Sequence, residues 1–367
     1  MDYLLFMKLI GRECRDNEIN SFTISILSTG RKMQKKLLIA ILIIQLWSPV
    51  ITSAQESNLK ENYSAYLPEV RNFNKFISQA PKGESILTPE GLKKARESMN
   101  KYINPTTVIK PSVKSIPGPA GPIRLVIFKP DTVRGVVLDI HGGGWIQGLP
   151  EHDAQFNDDL ARTAKVAVVS VDYRMAPENP FPACIEDCKA AAKWLVNNAK
   201  KEFGTDKIFL TGGSAGAHLA AVTTLYIRDS LKAIDKVKGV NFIYGVYDLG
   251  RTPSHRQATD SSMLTKRDMA EIFQVVFGKW SIEQLQDPHY SPLYADLHGL
   301  PPALFTVGAI DPLADDTYFM EARWRMAGNR TYLAVYPESG HGVDLFPTQM
   351  GKAARGKMIQ WIKDLCK

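Results

Sequence analysis

From residue 123 onward the sequence predicts an α/β fold, with a mostly parallel sheet covered by helices on both faces and a mainly helical cap. Three observations predict it. Short β-rich runs alternate with helical patterns. Several of those runs are continuously apolar, as strands buried on both faces are. The chain has 367 residues and 44% hydrophobic composition, enough to bury one large core with an elaboration.

Strands are expected at Ile123–Phe128, Val136–Ile140, Val166–Asp172, Lys207–Thr211, Val240–Tyr244, Ala303–Val307 and Thr331–Tyr336. Helices are expected between them at His152–Thr163, Pro182–Phe203, Ala215–Arg228, Asp315–Ala327 and Pro347–Leu365. Two stretches break this rhythm. Residues 55–118 lack a buried-strand signal, carry helical patterns at Leu67–Gln79 and Thr88–Tyr102, and end in the turn-rich Pro117-Gly-Pro-Ala-Gly-Pro. Residues 248–298 interrupt the catalytic region 119–367 and hold one amphipathic helix, with Met269, Ile272, Phe273, Val276 and Trp280 on one face. An insertion this long is usually functional, and the two stretches are expected to form a cap over one end of the sheet.

Residues 1–54 read as an upstream extension followed by a targeting segment. Met33-Gln-Lys-Lys precedes the apolar run Leu37–Trp47, and Thr52-Ser53-Ala54 closes it with small residues. That pattern predicts a signal peptide, export to the periplasm or medium, and a mature N-terminus near Gln55. The alternative is a membrane anchor made by the same segment, although the run is short for a span. The formal charge of +7 falls to +4 beyond residue 54, where 38 basic and 34 acidic residues remain. So mild and dispersed a charge gives no basis for nucleic-acid binding. Cys184, Cys188 and Cys366 are too few for a disulfide framework. Cys184 and Cys188 share an apolar helical stripe with Ala191 and Leu195, which makes them core residues rather than a redox pair.

The chemistry is carried by two glycine-rich turns and two later polar residues. Gly212-Gly-Ser-Ala-Gly216 fits G-x-S-x-G and lies between a strand and a helix. A sharp turn of that kind holds Ser214 in a strained backbone at a helix N-terminus, where free N–H groups favour negative charge. His141-Gly-Gly-Gly-Trp145 follows another buried strand, and its bare N–H groups can point into a site. A serine needs a base, and the base needs an orienting acid. Asp311 ends one strand and His341 follows the next, both on the edge where Ser214 is expected. Asp315 and Asp316 are rival acids, placed at a helix start where carboxylates serve as caps. Of the other histidines, His141 is expected to hold the glycine loop and His218 to pack inside. His152, His255, His289 and His298 are expected at the surface or in the cap. No His/Cys spacing suggests a metal, and no cofactor is implied.

Taken together, His141-Gly-Gly-Gly-Trp, Val171-Asp-Tyr-Arg-Met-Ala-Pro-Glu178, Phe181-Pro-Ala, Gly212-Gly-Ser-Ala-Gly, Asp311-Pro-Leu and Gly340-His-Gly resemble the hormone-sensitive-lipase-like esterases. These form the bacterial carboxylesterase branch of the α/β-hydrolases. The resemblance covers roughly residues 123–365. It implies a serine esterase acting on small-molecule esters with short or medium acyl chains, with Ser214, His341 and Asp311 as the triad. It also implies an oxyanion hole from Gly143, Gly144 and the N–H of Ala215, and a bracing role for Asp172–Glu178. Gly213 and Ala217 depart from the Asp and Gly usual at the elbow, but neither position supplies a triad group. An acetyl-carbohydrate esterase, a peptidase and a non-catalytic small-molecule receptor are competing readings on the same fold. The oligomeric state is not encoded in any motif.

Overall fold

A computed structural model describes residues 56–57 and 61–367, apart from 82, 102, 104, 105 and 260–262. The expected targeting segment and the alternative anchor therefore lie outside the described residues. Among the described residues, no helix is long and apolar enough to cross a membrane.

In chain order the elements are β1 (Glu56–Ser57), α1 (Leu67–Ser78), α2 (Pro89–Asn100), β2 (Ser112–Gly118), β3 (Gly121–Phe128), β4 (Gly135–Ile140), α3 (Ala154–Ala164), β5 (Val166–Asp172), α4 (Ala183–Phe203), β6 (Ile208–Gly213), α5 (Ala215–Asp229) and β7 (Val237–Ile243). The insertion follows, with α6 (Pro253–Arg256), α7 (Lys266–Phe277) and α8 (Ile282–Leu285). The chain closes with β8 (Ala303–Gly308), α9 (Ala314–Met326), β9 (Thr331–Tyr336) and α10 (Gln349–Leu365).

The strands form one nine-stranded sheet in the order β1-β9-β8-β7-β6-β4-β5-β3-β2. All neighbours are parallel except β2–β3 and β3–β5. The protein therefore has the α/β-hydrolase fold. The continuous apolar runs are explained by burial on both sides. Val136, Leu138 and Ile140 face a core shared with α4 and α5, while Val137 faces a second core shared with α3 and α10. On α10, Met350, Ala354, Met358, Trp361 and Ile362 recur at helical spacing and are all buried.

Two strands lie where no buried strand was expected. Glu56–Ser57 pairs parallel with β9 at one edge of the sheet. Ser112–Gly118 pairs antiparallel with β3 at the other edge, so the N-terminal stretch joins the sheet before residue 118. It is largely exposed, which explains why it leaves no apolar run in the sequence. The rest of that stretch packs on both sides of the sheet. Val70 of α1 joins the α3–α10 core and Leu92 of α2 joins the other. It also touches the insertion: Glu271 of α7 accepts from the Ile86 N–H at 2.8 Å, and Arg267 donates to the Gly83 carbonyl at 2.9 Å.

The strand order positions the site. The chain passes from β4 out to β5 and returns to lay β6 on the other side of β4. The turns leaving β4 and β6 are thus neighbours at a switch point, where ligands collect in open α/β sheets.

Candidate active site

The two turns meet backbone to backbone. A Cβ on Gly216 would fall 1.9 Å from the Ile140 carbonyl oxygen and 2.6 Å from that of His141, so only glycine permits the approach. Between them Ser214 is held at φ 57° and ψ −121°, a conformation that side-chain-bearing residues rarely adopt. Its N–H is fixed by the Ile243 carbonyl at 2.8 Å. Its side chain stands at the N-terminus of α5.

The loops after β8 and β9 are stitched together as well. The Ile310 N–H donates to the Ser339 carbonyl at 3.1 Å, and the Ala309 N–H to that of Tyr336 at 2.9 Å. This brings Asp311 beside His341. The His341 Nδ1 lies 2.9 Å from Asp311 Oδ2 and 3.2 Å from Oδ1, and Nε2 lies 3.0 Å from Ser214 Oγ. Asp311 is buried, and its Oδ1 also accepts from the Leu313 N–H at 2.8 Å. An ionised carboxylate only accepts, so Nδ1 carries the hydrogen and Nε2 presents its lone pair to the serine.

Gly143 and Gly144 sit at φ 113° and 61°, just past Gly142, where an added Cβ would lie 3.6 Å from the Ser214 Cβ. Their N–H groups and that of Ala215, the first residue of α5, donate to no acceptor among the described residues. A Cβ on Gly143 would lie 2.0 Å from the Gln147 carbonyl oxygen, so the loop's turn requires glycine there.

The segment from Asp172 to Glu178 touches this loop through Tyr173 and Ala176. The His141 ring stacks on Tyr173 at 4.2 Å, and the Tyr173 hydroxyl donates to the His141 carbonyl at 2.9 Å. The Ala176 N–H donates to the Trp145 carbonyl at 2.9 Å. Arg96 of α2 donates to both carboxylate oxygens of Glu178 and to the carbonyls of Ile146 and Ala176. Burial pushes the His141 imidazole down to about 4, which keeps it neutral.

His218 connects three pieces of the site. It accepts from the Trp145 indole N–H at 3.2 Å, and its Nε2–H donates to the Tyr290 carbonyl of the insertion at 2.6 Å. Burial pushes it down to about 4 as well. Helix α7 covers the glycine loop. Phe277 packs edge-on against Trp145 at 5.2 Å, and Ile272 is the side chain nearest Gly144. Near His341, Asn74 and Ile77 of α1, Met263 of the insertion, Ile310 and Gly340 line a cavity of about 170 Å³.

The rival acids lie elsewhere. Asp316 accepts from the N–H groups of Tyr247 and Asp248 and from the Thr252 hydroxyl, and Asp315 from the Ser254 N–H. They hold the start of the insertion rather than cap α9, whose N-terminus has no side-chain cap. His289 and His298 are exposed. His255 lies in the insertion, buried in α6 and edge-on to Phe273 of α7 at 4.7 Å. His152 is half-buried and its Nδ1 accepts from the Leu149 N–H at 2.8 Å. Cys184 and Cys188 are buried free thiols, and burial pushes Cys184 up to about 12. Sequence reasoning missed Tyr244, whose ring lies 4.6 Å from that of His341.

Comparison with known proteins agrees with this architecture. A family described by the alpha/beta hydrolase fold matches residues 137–345. The carboxylic ester hydrolase LipN of Mycobacterium tuberculosis is 36% identical over 250 residues, which is 65% of this chain and 66% of LipN. The versiconal hemiacetal acetate esterase of Dothistroma septosporum is 30% identical over 72% of this chain and 85% of its own length. Among solved structures, an esterase of Pyrobaculum calidifontis superposes with a TM-score of 0.71 at 31% identity, over 80% of this chain and 98% of that one. Fold, switch-point turns and relatives agree: the chain belongs to the α/β-hydrolase fold family, in its hormone-sensitive-lipase-like branch of serine esterases.

Proposed function

We propose that the protein hydrolyses carboxylic esters with short to medium acyl chains, using Ser214 as nucleophile, His341 as base and Asp311 as the acid that orients it. The observation that carries this reading is the hydrogen-bond chain from Asp311 through His341 to the Ser214 Oγ. Gly143, Gly144 and Ala215 add three N–H groups that donate to no acceptor among the described residues.

His341 Nε2 takes the Ser214 proton as Oγ bonds to the ester carbonyl carbon. The carbonyl oxygen becomes an oxyanion, held by the N–H groups of Gly143, Gly144 and Ala215. The bond to the alcohol oxygen then breaks, and Nε2 returns the proton to that oxygen. Water repeats the sequence on the acyl-enzyme, regenerating Ser214 and releasing the acid. Asp311 keeps the Nδ1–H tautomer and offsets the imidazolium charge.

The N-terminal stretch and the insertion act as a cap in this reading. Each buried CH₂ of an acyl chain contributes about 0.8 kcal/mol until the pocket ends. With p-nitrophenyl esters from acetate upward, kcat/KM rises over the first few carbons and then falls. Ser214→Ala loses several decades of kcat. Retention of more than about a tenth of the wild-type rate, far outside that range, would overturn the assignment. A folded variant lacking residues 55–85 should show a flatter chain-length profile. The same reading has the chain exported by cleavage near Gln55; an intact N-terminus on protein from the cytosol of its host would refute it.

A further inference from the structure

The reaction above places one carboxylate on His341, yet a second lies behind the ring. Tyr244 directly follows β7 at φ 37° and packs against the His341 imidazole, with ring centroids 4.6 Å apart at 61°. Its hydroxyl donates to Asp344 Oδ1 at 2.6 Å. Asp344 sits in the short turn Val343–Leu345 just past His341 and is 6% exposed. Its backbone carbonyl accepts from the Arg355 guanidinium of α10.

We infer that Tyr244 and Asp344 form a brace on His341, in which the tyrosine ring fixes the imidazole laterally and the buried carboxylate supplies a second negative charge that stabilises the imidazolium. The inference rests on His341 being the general base. Both residues are positioning residues, since neither needs to touch substrate.

The physics of the pair is one-sided. Burial, then the neighbouring Asp344, pushes the Tyr244 phenol well above its ordinary value, so it stays a donor. Burial pushes the Asp344 carboxyl above its ordinary range, and the bond from the Tyr244 hydroxyl is the first of the contacts that oppose that push and favour the charged form. In a poorly solvated setting its charge reaches the imidazole with little screening. The other groups facing this pocket are Asp311 across the ring, Asp153 before α3, Asp139 of β4, Tyr336 of β9 and Arg355. Burial drives Asp153 well above the usual carboxylate range and pushes Asp139 up. Asp139 is engaged on its far side by the Ser170 hydroxyl at 2.6 Å and Asn157 at 2.7 Å.

Asp344→Asn tests the charge, because the amide oxygen still accepts from Tyr244. Two curves are measured: the acid limb of kcat/KM on p-nitrophenyl acetate, and the titration of His341 by NMR in protein carrying carbon-13-labelled histidine. Comparison with His341→Ala assigns the resonance. Both curves should move to lower pH, by on the order of 0.5–1 unit. Tyr244→Phe should move them less in the same direction and lower kcat about tenfold with little change in KM, the signature of a lost positioning contact. Asp139→Asn should move them least. An Asp344→Asn protein that loses activity with both curves unmoved makes Asp344 merely structural and overturns the proposal. If Asp344→Asn fails to fold, Tyr244→Phe decides alone, and unmoved curves there overturn it. An NMR curve that moves while the activity limb stays supports the brace and shows instead that His341 is not the base.

Discussion

The floor of the site and the N-terminal helices beside it are held by different forces. The floor is main chain packed on main chain: Gly216 against Ile140 and His141, and Gly143 against Gln147, with no room for a Cβ. Helices α1 and α2 are held largely by side chains reaching far along the sequence. Arg71 pairs with Glu338, Asn74 donates to the Glu338 carbonyl, Arg96 pairs with Glu178, and Phe73 lies 4.5 Å from Phe346. Close-packed backbone cannot relax around a change, whereas exposed ion pairs contribute little and can be exchanged. The floor therefore fixes where the reacting atoms sit, and the helices can vary what reaches them.

The largest expected effect tests chemistry within the floor. Asp311→Asn should lower kcat by on the order of 10⁴ through the wrong histidine tautomer. Asp315→Asn, whose carboxylate serves Ser254, should leave kcat within about threefold, well below any decade-scale loss. The reverse pattern would exchange the two aspartates. Gly216→Ala comes next. Its Cβ must push two carbonyls apart, so urea unfolding should show a loss of more than about 3 kcal/mol. A near-neutral result would mean that the turns can separate, and the contrast with the helices would collapse.

Acid should then weaken the floor and the insertion above it, rather than the N-terminal helices. His141 and His218 in the floor and His255 in α6 are each pushed down to about 4, in every case first by burial. A depressed histidine stabilises the fold above its unfolded value, near 6.5, and that contribution is lost as pH falls toward the folded value. The urea midpoint should therefore drop between about pH 6.5 and 4. Replacing His255 by Phe, which keeps an aromatic beside Phe273, should make the drop shallower; an equally steep drop would remove His255 from this account. The smallest effect belongs to the helices. Arg71→Ala removes an exposed pair and should leave kcat on p-nitrophenyl acetate unchanged, with the unfolding midpoint moved only slightly. A large loss in either would place α1 among the parts that fix the reacting atoms.

How much of this was legible in the sequence depends on whether a feature is local. Val136-Val-Leu-Asp-Ile announces a doubly buried strand, and Gly212-Gly-Ser-Ala-Gly announces a turn between strand and helix, because each is decided by neighbours along the chain. The positions of Asp311 and His341 followed from strand ends. Ser112–Gly118 was not legible, since an edge strand with exposed residues and a Pro-Gly end resembles a loop. Tyr244 and Asp344 carry no local signal either, because their contact joins distant parts of the chain. His255 stands among polar residues in Thr-Pro-Ser-His-Arg, and only its contact with Phe273 shows it to be interior.

The positive φ of Ser214 has a consequence for selection. A side chain in that backbone region is held at a penalty of about 1–3 kcal/mol, which glycine largely escapes. Ser214→Gly and Ser214→Ala both remove the hydroxyl, but only glycine relieves the backbone. The glycine variant should melt at a higher temperature than the alanine variant, even after its greater freedom in the unfolded chain offsets part of the gain. A library screened for heat resistance alone would thus be drawn toward glycine at this position. Every such winner would be a more durable protein with no nucleophile, so a search for hardier forms of this chain has to score turnover in the same round.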